Sequence, residues 1–116
     1  IYCDYYKGDC VVEYPTGSGN KVALSVVADG ISKRLISTFC IGEDGHRPVN
    51  DNYEIYQQEH FKGLVLFYEY FHGDTARGVG ASHQTGWTGV VAELINAVSN
   101  SKEERKNVVE PAAEYL

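Results

Sequence analysis

Leu64-Val65-Leu66-Phe67-Tyr68-Glu69-Tyr70-Phe71 is the densest aliphatic and aromatic run in this sequence of 116 residues. Side chains of this kind, over a length of eight, predict a buried strand. Strand alternation puts Leu64, Leu66, Tyr68 and Tyr70 on one face and Val65, Phe67, Glu69 and Phe71 on the other. Glu69 therefore shares a face with three large apolar side chains. A carboxylate desolvated in that way is drawn toward general-base chemistry. The competing reading is a frayed strand end, with Glu69 turned into solvent beside His72 and Asp74.

The residues that follow favour a site over a frayed end. Phe71-His72-Gly73-Asp74-Thr75-Ala76-Arg77-Gly78-Val79-Gly80-Ala81-Ser82-His83-Gln84-Thr85-Gly86-Trp87-Thr88 reads as one long irregular loop, and residues 73–89 hold five glycines. Loops of that length are usually functional. Glycines let backbone approach a ligand closely. His83, Gln84 and the only tryptophan, Trp87, add hydrogen-bonding groups and a stacking face. An aromatic platform beside an amide or imidazole suits a sugar ring. Singly, Trp87 reads better as a core anchor, and His72 and His83 as structural histidines; the cluster carries more than its members.

Farther out, Leu24, Ala28, Ile31, Leu35 and Phe39 recur every three or four positions. They predict an amphipathic helix over residues 25–39 that buries one stripe. Val90, Val91, Leu94, Ile95 and Val98 predict a second helix. Ser101 with Glu104 has the spacing of a capping box for a short charged third helix, limited by Pro111. Residues 1–20 are rich in Tyr, Gly and Asp, with Pro15-Thr16-Gly17-Ser18-Gly19-Asn20 a loop, and residues 42–52 read as a polar turn region. The expected chain is two helices, one strand and much loop.

Composition narrows the functional classes. Lys and Arg number 10 against 16 Asp and Glu, a net charge of −6, which argues against nucleic acid and anionic membrane as partners. The longest apolar run, Leu64 to Tyr68, falls far short of the roughly 20 residues of a membrane span. Gly17-Ser18-Gly19-Asn20-Lys21 lacks the spacing of a phosphate loop. His60, His72 and His83 lack the spacing of a zinc site, so no metal is expected. Cys3, Cys10 and Cys40 are too few for a disulfide framework and read as reduced thiols. That favours a cytoplasmic compartment, with the endoplasmic reticulum lumen as the alternative. A chain that starts at Ile1 and holds no methionine is expected to be a processed piece or fragment.

The stretch Phe67-Tyr68-Glu69-Tyr70-Phe71-His72-Gly73-Asp74, continued by Gly80-Ala81-Ser82-His83-Gln84-Thr85-Gly86-Trp87-Thr88-Gly89-Val90-Val91-Ala92, resembles the C-terminal end of the catalytic domain of glycoside hydrolase family 63-like α-glycosidases. These are relatives of the processing mannosyl-oligosaccharide glucosidase. Glu13-Tyr14-Pro15-Thr16-Gly17-Ser18-Gly19 and Gly45-His46-Arg47-Pro48-Val49 are similar to the same group, so the likeness spans residues 5–98. The resemblance implies a mainly α architecture, with residues 1–116 the C-terminal part of an (α/α)6 toroid that includes a short strand and a long Gly-rich loop. It also implies inverting hydrolysis of an α-glucosidic bond with Glu69 as general base, Gln84, His83 and Trp87 as sugar contacts, and no cofactor. The implied partners are an oligosaccharide or small glycoside and the remainder of the catalytic domain, which would hold the general acid.

Overall fold

In the computed structural model of the protein, residues 1–84, 86 and 88–109 are described, residues 101–109 by their backbone alone. A five-residue helix α1 (Tyr2–Tyr6) leads into a hairpin of β1 (Val11–Glu13) and β2 (Lys21–Ala23). Val11 pairs with Ala23, Val12 with Val22 and Glu13 with Lys21. The turn between them falls in the Pro-Gly-rich stretch, where Gly17 and Gly19 take φ of 82° and 75° that L side chains avoid. Glu13 Oε1 accepts a hydrogen bond from the Gly19 N–H at 2.6 Å, which ties the loop to its own strand. Strands both precede and follow Gly17-Ser18-Gly19-Asn20, so the stretch is a hairpin turn and not a phosphate loop leading into a helix.

Helix α2 (Leu24–Ser37) starts directly from β2, close to the expected residues 25–39. Gly30 lets it approach the hairpin: a Cβ there would stand 2.6 Å from the Tyr14 hydroxyl oxygen. Helix α3 (Val91–Val109) packs across α2. Between them the chain forms 3-10 turns at Pro48–Asn50, Glu54–Gln57 and Thr88–Val90 and a second hairpin, β3 (Tyr70–Phe71) with β4 (Gly78–Val79). Among the described residues Val49, Tyr68 and Val91 are the buried hydrophobics, and Val49 is fully enclosed. Arg47 donates to the Phe39 carbonyl and the Val49 N–H to the Thr38 carbonyl, fastening the end of α2 over that point. Phe39 then packs on Phe67 and Phe71, with ring centroids 6.0 and 5.8 Å away.

Several expectations are corrected here. The mainly α toroid is not met: among the described residues α2 and α3 are the only long helices, they pair with each other, and the four short strands form two separate two-stranded antiparallel sheets. The sheets arise where short apolar segments find a partner across a glycine turn. No residue of α2 is buried, and Ile31 and Leu35 stay exposed, so the predicted stripe exists in sequence but lacks a covering layer. The strand predicted over residues 64–71 contracts to Tyr70–Phe71, with Leu64 and Val65 exposed. Residues 1–20 contain α1 and β1, and the long loop contains β4. No separate third helix starts at Ser101; the α3 backbone runs through it, since a mid-helix Ser continues a helix where nothing diverts the chain.

Candidate functional site

Residues 67–84 double back on themselves. Tyr70 faces Val79 and Phe71 faces Gly78 in β3 and β4. Toward the tip, the His72 N–H donates to the Arg77 carbonyl and the Ala76 N–H to the His72 carbonyl, both at 2.9 Å. Toward the open end, the Glu69 N–H donates to the Ala81 carbonyl at 2.8 Å and the Gln84 N–H to the Phe67 carbonyl at 2.7 Å, with a further bridge between Phe67 and His83. The pairing therefore brings the segment of Phe67 and Glu69, just before β3, alongside the segment that runs from Ala81 to Gln84, although 14 and 15 positions separate Glu69 from His83 and Gln84 in sequence. Glu69, His83 and Gln84 are each exposed.

Glu69 is not desolvated as the alternation predicts. Phe67 and Phe71 share a face toward Phe39 as the alternation predicts, but the chain bends at Glu69 and the carboxylate between them does not join them. The segment facing Glu69 is Gly80 and Ala81, which have no bulk to cover it. Its carboxylate Oε2 accepts the Ala81 N–H at 3.4 Å. Solvent reaches it from outside, as in the competing frayed-end reading, yet its backbone is held in the ladder.

Behind the hairpin lies a tyrosine buttress that the sequence reading missed. The Tyr68 ring, 6% exposed, stacks on Tyr53 with centroids 6.1 Å apart, and its hydroxyl lies 2.7 Å from that of Tyr56. Burial first, and then the hydrogen bond with Tyr56, push the Tyr68 hydroxyl above the ordinary tyrosine range. The Tyr53 hydroxyl donates to the Gly78 carbonyl at 3.1 Å, and the Arg77 guanidinium sits 5.8 Å from the Tyr53 ring centre. Gly78 itself lies flat on Tyr68: a Cβ there would come within 2.2 Å of the ring. The signal in the sequence was the pair Tyr53 and Tyr56, three residues apart, together with Gly78-Val79-Gly80.

The Gln84 carbonyl accepts the Thr88 N–H at 3.2 Å and the Thr88 hydroxyl at 3.0 Å, so the backbone of Gln84 is fixed on both sides while its side chain is exposed. Trp87, the third expected sugar contact, lies outside the described residues. A hollow of about 770 Å³ lies elsewhere: Asp44, Arg47, Asp51 and Gln57 help to line it, and Glu69, His83 and Gln84 do not. The described residues hold no group of three or more His, Cys, Asp or Glu placed to bind a metal ion. No described helix is long and apolar enough to cross a membrane.

Among curated proteins, the chain is 43% identical over 100 residues to the uncharacterized protein YMR196W of Saccharomyces cerevisiae, an alignment that takes in 84% of this chain. No protein-family model matches the sequence, and no solved structure matches it. The chain spans 9% of the length of the yeast relative.

Proposed function

We propose that this chain supplies the general base of an inverting α-glycosidase of α-glucosidase type, with Glu69 as the base. Gln84 and His83 contact the sugar, and Trp87 adds a stacking face. The observation that supports this reading is the backbone pairing of Glu69 with Ala81 and of Phe67 with His83 and Gln84, which brings the segments carrying an exposed carboxylate, an exposed imidazole and an exposed amide together. In the proposed reaction Glu69 takes a proton from water as the water oxygen bonds to the anomeric carbon. The glycosidic C–O bond breaks at the same time, and the departing oxygen takes a proton from a second carboxyl group. Inversion requires that group to stand roughly 6.5–9.5 Å from the base, so that a water fits between them. The second group belongs to the remainder of a longer catalytic domain, and the parent protein acts on an oligosaccharide or small glycoside in the cytoplasm.

The test is Glu69→Gln in the parent protein with α-D-glucosyl fluoride as substrate. Hydrolysis should be lost while the melting temperature stays unchanged. Turnover near that of the unsubstituted protein would remove Glu69 from this role. The open exposure of Glu69 favours one second reading, a surface that binds carbohydrate without cleaving it. Saturable sugar binding with no turnover at any pH would select that reading.

A further inference from the structure

Two backbone features converge on the Glu69 carboxylate. Gly80 has φ of 78°, a conformation that L side chains rarely adopt. A Cβ at Gly80 would also stand 2.7 Å from Glu69 Oε2, 2.8 Å from Tyr70 Cε1 and 3.1 Å from Glu69 Cβ. The carboxylate thus occupies the space where a side chain at position 80 would begin. The turn through Gly80 also carries the Ala81 N–H to within 3.4 Å of Oε2, while the Ala81 carbonyl takes the Glu69 N–H at 2.8 Å. Residue 69 is therefore gripped twice by residue 81, once through its backbone and once through its side chain. Gly73 and Gly86 differ, since a Cβ there would meet nothing within 4 Å, and a Cβ at Gly78 would meet the Tyr68 ring and not Glu69.

We propose that Gly80 is a positioning residue for the general base: its missing side chain and its left-handed turn form the seat that aims the Glu69 carboxylate at the attacking water. This rests on the reading of Glu69 as that base. A carboxylate pushed from the seat still lets substrate bind, because the sugar contacts belong to Gln84 and His83, but it no longer meets the water in line. Misplacement of a reacting group by about 1 Å costs on the order of 100-fold in rate.

The experiment compares Gly80→Ala, Gly80→Asn, Gly73→Ala and Glu69→Gln in the parent protein, with α-D-glucosyl fluoride as substrate and with melting followed by circular dichroism. Asparagine tolerates the left-handed conformation yet carries a Cβ, so Gly80→Asn tests the seat even if Gly80→Ala fails to fold. We expect kcat to fall at least tenfold in Gly80→Asn with KM within twofold, and no change in Gly73→Ala. A Gly80→Asn protein with kcat and KM unchanged overturns the seat, as does a rise in KM with kcat intact. Loss of turnover in Glu69→Gln beside a normal Gly80→Asn would leave the base assignment standing and sink the positioning role alone. Normal turnover in Glu69→Gln would sink both.

Discussion

Tyr68 illustrates how one side chain ties the hairpin to the rest of the chain. Its ring stacks on Tyr53 and lies under Gly78, and its hydroxyl meets that of Tyr56. A buried phenol hydrogen-bonded in its neutral form holds its proton more tightly in the folded chain than in the unfolded one, where it ionises near pH 10. The neutral ring's contribution to stability is therefore complete below about pH 10 and is lost as the pH climbs toward the folded value. A phenolate absorbance titration should show one tyrosine ionising after the others. In Tyr68→Phe that late step should vanish; an unchanged curve would assign it to another tyrosine. At neutral pH the same substitution should cost about 0.5–1.5 kcal/mol of local stability, the worth of one hydroxyl hydrogen bond.

At the scale of the element, the β3–β4 hairpin depends on close approach more than on length. Two residues per strand supply few ladder bonds, and an isolated two-stranded hairpin is marginal in water. The Tyr68 ring against the Gly78 backbone makes up part of the difference. Gly78→Ala would drive a methyl group into that ring and should cost about 1–3 kcal/mol, the scale of an overpacked contact. Hydrogen exchange at the Glu69 and Gln84 amides would report it, because both N–H groups are bonded across the hairpin. Protection equal to that of the unsubstituted chain would mean that Tyr68 moves aside freely. The element was half legible in sequence. The apolar run from Leu64 announced a strand, but its partner Gly78-Val79 has no periodic signal over two residues, and pairing across a glycine loop is not local information.

The whole molecule is open for its size. Its radius of gyration is 18.2 Å, whereas a compact chain of 116 residues has about 13 Å. It exposes 9271 Å² where a compact monomer of its mass exposes about 6,300 Å². Val26, Ile31 and Leu35 of α2 and Ile95 of α3 remain exposed. Helix stripes of this kind form in proteins because another layer covers them. The isolated chain should therefore associate with rising concentration, bind a hydrophobic dye and melt without a sharp transition. Sedimentation velocity with a dye titration checks this; a monomer with one cooperative melt would show that the chain tolerates its uncovered faces.

By itself the sequence determined what local physics controls. Apolar residues three and four apart made α2 and the start of α3, and glycine and proline made the turn at residues 15–20, because helix period and turn chemistry act within a few positions. It also marked residues 64–88 as the unusual segment. Only the tertiary structure decided that Glu69 faces solvent, that Ala81 pairs with it while His83 and Gln84 pair with Phe67, and that Tyr53 and Tyr56 pack on Tyr68. Those outcomes depend on which backbone groups pair across a loop and which small residues stand opposite a side chain. The toroid that the family resemblance implied is not met, and the stripes alone could not have decided it: an apolar stripe states that a helix has a face to cover, while the neighbour that covers it is chosen by contacts between distant parts of a chain.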